Sequence, residues 1–488
     1  MSETQQALGI VGGGVAGIAA AEAAHSRGYR VNLFERSGVL GGRVASLLEP
    51  AQNQWIDTGQ HLIFGCCTRV LALHQRLGLA PFFERSDAIP FATLQRKYWS
   101  LTASPLFSKR RQLLPSFLKM PLLPLMERIK TGLLVMKLGK LGENWFKPHR
   151  VPQPDITVAE WLKQHRVSQN ALNAFWLPLV LSTLSEMPEY VSVKAMQKVI
   201  QDGFLAGREG MSVYLPTVPL RTIYHDAASA ALEESGISLH FFKRLRRLHW
   251  EKSRVDALPT ITALEFSDGT FEQFDRYILA IPAFQLWKVL EASDLPFCIA
   301  QLGLERFEPG AITTVHLWLD RPVLQSGRRY CVLSGGIGQF LCAPNNAADN
   351  YYTVVISAAH RLLSENEMTM NGGRDLADRI VEQLRTTFGI LELQLRHCRT
   401  TTCFEAVFSP KPEIYALRPG SQGLFANGAI AGDWTQTGFP ATLEGAVRSG
   451  LTAVAIDYDS IMQSRENGSS GNSTLPLVSR KSVDELLS

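Results

Sequence analysis

Apolar positions cluster at the start of the chain. ALGIV (7–11) is a continuous apolar run, VAGIAAAEAA follows a glycine turn with helical spacing, and VNLF (31–34) is apolar again. Over 8–36 this predicts a strand, a turn, a helix and a second strand, the strands buried on both faces. Residues 70–214 read as mainly helical, most strongly near 157–183. Residues 236–283 read as a β-meander followed by a buried strand, DRYILAIPA. From 311 to 358 apolar and polar positions alternate (AITTVHLWLD, YYTVVISA), the pattern of half-buried strands. A helix near 374–388 and a strand near 392–408 follow. The tail SRENGSSGNSTLPLVSRKSVDELLS is polar and Gly/Ser-rich, so residues 461–488 are expected to be disordered. No internal repeat is visible.

Composition adds limits. A chain of 488 residues that is 45% hydrophobic can build two or three cored domains. With 49 Lys+Arg against 45 Asp+Glu, a net charge of +4 gives no ground for a nucleic-acid partner. The seven cysteines form no CxxC, which suits reduced thiols better than a disulfide frame or a metal site; no metal is expected. The polar start MSETQQ has no signal-peptide pattern, and no apolar run reaches the ~18 residues of a membrane span. These features predict a cytoplasmic protein.

The glycines carry the first chemistry. Gly12, Gly14 and Gly17 lie between an apolar strand and an Ala-rich helix. Gly12 permits the tight turn, Gly14 lets a pyrophosphate approach backbone N–H groups, and Gly17 lets helix pack on strand. Glu35 ends the second strand, where an acid accepts hydrogen bonds from a ribose. Together with Ala16 in the same loop, these residues predict a dinucleotide site.

ERSGVLGGRVAS then places Gly41, Gly42 and Arg43 directly after that acid. The arrangement resembles the second signature of the flavin amine oxidase and phytoene desaturase superfamily, which implies FAD. A plain NAD dehydrogenase has no use for this element. The resemblance extends to GDWTQTGFPATLEGAVRSG (432–450) and implies that Gly432 and Asp433 bind the ribityl or pyrophosphate part of FAD. It further implies a helix opening at Pro440 whose N-terminus, through Ala441, Thr442 and Leu443, faces the isoalloxazine. Leu245 matches the family's adenine-side position, while the basic residues 243–247 read as a solvated strand face. The implied fold class is α/β: a discontinuous Rossmann-like FAD-binding domain (1–70, 215–285 and 415–460) with an α+β substrate domain built from two inserts (71–214 and 286–414).

WIDTGQHLIFGCCTRVLALHQRLGL (55–79) is the most specific stretch. With FWLPLVLSTLSEMPEYVSVKAMQKVI (175–200), VYLPTVPLRTIY (213–224) and EAVFSPKPEIYALRPG (405–420) it resembles the bacterial squalene-associated FAD-dependent desaturase family, the hydroxysqualene dehydroxylases of hopanoid pathways. Thr58 departs from the asparagine frequent there, and the 105–150 insert matches no quoted motif. The resemblance implies reductive dehydroxylation of hydroxysqualene to squalene, with reduced FAD as hydride donor and electrons from an external donor. Gly59, Gln60 and His61 are then expected near the flavin. His61 can supply the proton for the departing hydroxyl or merely pack on FAD; Asp57 can share that role or merely cap the turn.

Two further expectations concern surroundings and rivals. Residues 105–141 combine Leu, Met and Phe with eight Lys/Arg and one acid, Glu127. Four prolines (105, 115, 121 and 124) divide this stretch into short segments, so 105–150 reads as a membrane-facing insert or as a lid over the cavity of a C30 isoprenoid. The corresponding location is peripheral, at the inner face of the cytoplasmic membrane. Rival readings are a carotenoid (phytoene-type) desaturase, an amine oxidase, for which no C-terminal aromatic pair is evident, and a non-catalytic flavin-bearing assembly protein.

Overall fold

The computed structural model describes residues 5–107, 111–145, 155–252, 258–325, 327–344, 350–369 and 373–468. Five strands form a wholly parallel sheet: β1 (Ala7–Val11), β2 (Arg30–Phe34), β3 (Ser238–His240), β4 (Arg276–Leu279) and β5 (Gly428–Ile430). Their order is β3-β2-β1-β4-β5, so three separate stretches of chain meet in one sheet. All five residues of β1 are buried, because both faces of the sheet are covered.

Four helices matter for the site: α1 (Val15–Ser26), α2 (Thr68–Arg76), α3 (Leu125–Trp145) and α4 (Leu443–Gly468). One core joins Ile10 and Val31 of the sheet to Ile18 of α1 and Val447 and Val454 of α4. Here α1 and α4 touch through backbone: a Cβ on Gly450 would lie 2.2 Å from the Ala16 oxygen. A second core packs Val11, Phe34 and Leu279 against an antiparallel sheet whose main strands are Leu245–Glu251 and Thr260–Phe266. The architecture is thus α/β with a Rossmann-like sheet.

A seven-stranded sheet forms the other body, in the spatial order 395–408, 309–319, 351–356, 340–342, 330–334, 88–93 and 98–102. It is antiparallel except where Val332 lies opposite Phe91, which fuses a hairpin from 88–102 to the later meander. Helices between 114 and 204 cover one face and the helix Gly373–Phe388 the other.

Several elements differ from expectation. Residues 70–214 contain the hairpin 88–102 and shorter strands besides helices, since sheet pairing claims the aromatic and apolar FAT…YWSLT. Pro309–Leu319 and Tyr351–Ile356 are almost wholly buried, not half-buried, because helices shield both faces of their sheet. Within the insert, Pro124 does not break the chain again: α3 runs 21 residues from Leu125. The polar tail stays helical as far as Gly468, and 469–488 lie outside the described residues.

Candidate active site

Ligands of open parallel sheets bind beyond the carboxyl ends of the strands. Here the turns after β1, β4 and β5 converge. Gly12 has φ +108°, and a Cβ on it would stand 2.3 Å from the Ala280 oxygen; one on Gly17 would stand 1.9 Å from the Gly12 oxygen. No side chain fits at either position. Gly14 is the N-cap of α1, and nothing lies within 4 Å of where its Cβ would point, which leaves a cradle before the helix N-terminus. Ala16 is buried against α4. Glu35 ends the turn after β2, its carboxylate accepting from the Gly13 N–H (2.8 Å), the Ser37 N–H (2.8 Å) and the Ser37 hydroxyl (2.9 Å).

Gly41 and Gly42 close over this cradle. The Gly41 N–H donates to the Gly13 oxygen (2.8 Å), and a Cβ on Gly42 would meet the Gly14 Cα at 3.0 Å. Arg43 then donates to the Ala406 oxygen (2.7 Å) and to Asp433 Oδ1 (2.5 Å), joining segments 390 residues apart in sequence. Burial opposes the Arg43 charge, but the Asp433 carboxylate more than offsets it and raises the guanidinium above its ordinary value. The turn bearing Asp433 is itself anchored: the Gly432 N–H donates to the Ser449 hydroxyl (2.8 Å) of α4.

The final helix starts later than the sequence suggested. Pro440 and Ala441 precede it; Thr442 is its N-cap, with its hydroxyl accepting from the Gly445 N–H (3.2 Å), and Leu443 is its first residue. A side-chain acceptor in register with the helix outweighs a favourable proline. Glu444, unremarked in the sequence, is fully buried and accepts from the Arg69 and Val70 N–H groups (3.1 and 3.0 Å), so α4 caps α2. At the opposite edge, Leu245 is buried against Val11 and Phe34. The basic residues around it lie on a largely exposed strand face, as expected, where Lys243 pairs with Asp268 (2.6 Å), Arg246 with Glu265 (3.3 Å), and Arg247 donates to the Ala292 oxygen (2.7 Å).

The DTGQH loop lines a pocket whose wall includes Trp55, Asp57, Gln60, Val218, Pro219 and Tyr351. Asp57 is 6% exposed; its Oδ1 accepts from the Ser46 hydroxyl (2.6 Å) and the Leu220 N–H (2.9 Å). Burial outweighs those hydrogen bonds and pushes its carboxyl up to about 6. His61 lies by the Arg43 backbone, with Gly59 Cβ space bounded by its Nε2 at 3.9 Å. Burial, and then the Arg43 charge, push its imidazole down to about 4, so it is neutral at pH 7. Gln60 Nε2 is buried with no partner among the described residues. Tyr351, which no spacing signalled, meets His316 Nδ1 (2.8 Å); His316 Nε2 meets the Thr401 hydroxyl (3.2 Å), which donates to the Thr58 oxygen (3.2 Å).

The open cradle at Gly14, the paired Arg43 and Asp433 beside it and the orphaned Gln60 amide all fit a bound dinucleotide. Fold and site define an FAD-dependent oxidoreductase. The flavin-containing amine oxidoreductase family model matches residues 15–456, and the chain belongs to that family. It is 25% identical to hydroxysqualene dehydroxylase of Sinorhizobium fredii, over 91% of this chain and 96% of that protein. It is 20% identical to 15-cis-phytoene desaturase of Solanum lycopersicum, over 92% of this chain and 77% of that one. Cyclohexylamine oxidase of Brevibacterium oxydans shares the fold, with a TM-score of 0.68 and 18% identity over 94% of this chain and 100% of that chain.

Proposed function

We propose that the protein reductively dehydroxylates hydroxysqualene to squalene, in squalene and hopanoid biosynthesis, taking its electrons from an external donor. The observation that carries this reading is the buried Asp57 carboxyl, held near neutral pKa in a largely apolar pocket wall. A departing allylic hydroxyl needs a proton, and a carboxyl with a pKa of about 6 stays protonated to slightly acid pH, keeps a minor protonated fraction at pH 7, and releases its proton readily. The C–O bond breaks, the hydroxyl leaves as water with that proton, and a hydride completes the new C–H bond. Reduced FAD, when bound, would supply the hydride.

The chain's residues do the rest. Gly12, Gly14 and Gly17 admit the pyrophosphate, Glu35 takes the ribose, Leu245 faces adenine, and Gly41, Gly42, Arg43, Gly432 and Asp433 enclose the central part. Gly59, Gln60, neutral His61, Ala441, Thr442 and Leu443 border the flavin. The FAD-binding part comprises 1–70, 215–285 and 415–460. Likeness to both dehydroxylases and desaturases supports an isoprenoid substrate. Around α3, Leu106, Phe107, Leu118, Leu125, Met126 and Leu133 are exposed beside Arg111, Lys119 and Lys130, which supports peripheral contact with anionic lipid at the inner membrane face. No described helix is long and apolar enough to cross a membrane.

The test is product analysis. Chemically reduced protein incubated without oxygen with hydroxysqualene should yield squalene, whereas oxidised protein should not. Failure of the reduced protein, with desaturation of phytoene by the oxidised one, would favour the carotenoid-type reading.

A further inference from the structure

Arg418 is 4% exposed, and its guanidinium is spent entirely on the chain that follows Asp433. Nε donates to the Trp434 oxygen (3.3 Å), Nη2 to the Asp433 oxygen (2.6 Å) and the Thr437 hydroxyl (3.2 Å), and Nη1 to the Phe439 oxygen. The rings of Phe408 and Tyr415 lie 5.4 and 5.6 Å from its Cζ. Every acceptor is neutral. The Asp433 carboxylate, at the near end of the same loop, is paired with Arg43. Arg43 also faces Glu405, whereas Arg418 has no ion pair of its own among the described residues. A buried charge that makes no ion pair is costly to the fold, so this arrangement suits an anion bound alongside better than stability alone.

The sheet says which part of the dinucleotide that is. Glu35 follows β2, on the side of the β3 edge, and Asp433 follows β5 at the opposite edge. A pyrophosphate held over β1 at Gly12–Gly14 would place the ribose and adenine toward Glu35 and the flavin half toward the 433–439 loop. We propose that Arg418 is a positioning residue that holds the 433–439 loop as a wall of the flavin half and sets a positive charge without an ion pair behind it, favouring the anionic reduced flavin. The proposal rests on FAD binding and not on the identity of the substrate.

Two substitutions separate the fork from the charge. Arg418→Lys keeps the charge and loses the planar donors; Arg418→Gln keeps an amide donor and loses the charge. Purified variants are compared with the parent protein for FAD affinity, by titrating apoprotein, and for the midpoint potential of bound flavin. Both should bind FAD roughly tenfold more weakly, because neither donor set spans three carbonyls. Only the Gln variant should shift toward oxidised flavin, by about tenfold, which for a two-electron couple is about 30 mV lower. Equal midpoints in all three proteins, or equal shifts in both variants, would overturn the charge assignment. Unchanged FAD affinity in both would overturn the positioning role. Should the Gln variant not fold, the Lys variant decides: unchanged affinity or a lowered midpoint overturns the proposal. A merely structural arginine would loosen FAD without moving the midpoint, and neither readout depends on turnover.

Discussion

Asp57 and His61 stand four positions apart and are displaced in opposite directions by the same cause. Burial disfavours charge, which raises the carboxyl to about 6 and lowers the imidazole to about 4. The sequence names both residues, since DTGQH marks the loop. It does not reveal which of them keeps a proton, because that depends on Leu220, Ser46 and Arg43 around them. The account predicts that Asp57→Asn lowers the dehydroxylation rate by roughly 10²-fold or more, while His61→Ala with full FAD loading retains protonation of the leaving group. Measured pH–rate profiles should show a fall above pH ~6 in the parent protein that the Asn variant lacks.

Stability follows the same groups. The raised pKa of Asp57 contributes stability that is fully present below its unfolded value and is lost as pH rises through about 6. Two units correspond to roughly 3 kcal/mol at most. Asp57→Asn, which keeps an acceptor for Ser46 and Leu220, should therefore be more stable than the parent at pH 7.5 and not at pH 4. Urea unfolding at both values checks this.

At the scale of elements, the register of helices was harder to read than their existence. Pro440 points to a helix start, but the Thr442 hydroxyl caps a helix that begins three residues later, at Leu443. Once there, Glu444 falls where it can accept the first N–H groups of α2, whose own N-cap, Cys67, makes no side-chain cap. Such an acid looks like an ordinary first-turn glutamate in sequence. Glu444→Ala leaves those N–H groups and Arg448 without an acceptor and should cost roughly 3 kcal/mol in urea unfolding; Glu444→Gln, which keeps an acceptor, should cost less.

Glu186 does comparable work between the inserts. It is fully buried and accepts from His360 Nε2 (3.2 Å), the His360 Nδ1 accepting in turn from the Ala311 N–H (3.1 Å). Burial opposes its charge, but the hydrogen bonds from His360 and from the Met187 N–H (2.9 Å) win and hold it down at about 2. Its stabilisation is present above the unfolded pKa and is lost as pH falls through about 2. Glu186→Gln should flatten the acid limb of the unfolding curve between pH 5 and 3.

For the whole molecule, the strand–glycine–helix start and the Gly-Asp turn near the end were each legible locally. That they lie side by side was legible only through resemblance; the parallel sheet and the contact of Arg43 with Asp433 bring them together. The seven-stranded sheet was not foreseen, because its seam between 88–93 and 330–334 joins residues far apart in sequence. The exposed apolar face of α3 predicts flotation with vesicles containing anionic phospholipid at low salt. Flotation should fall as salt rises and be abolished by a Leu125→Asp, Met126→Asp double substitution that leaves the protein folded.

A single turnover reads hydride donation and loss of the hydroxyl together. Protein with fully reduced FAD is mixed anaerobically with hydroxysqualene, and flavin absorbance and product are followed together. One squalene should form for each flavin oxidised, with slower oxidation in Asp57→Asn. Flavin that stays reduced while hydroxysqualene is recovered unchanged would contradict reductive dehydroxylation.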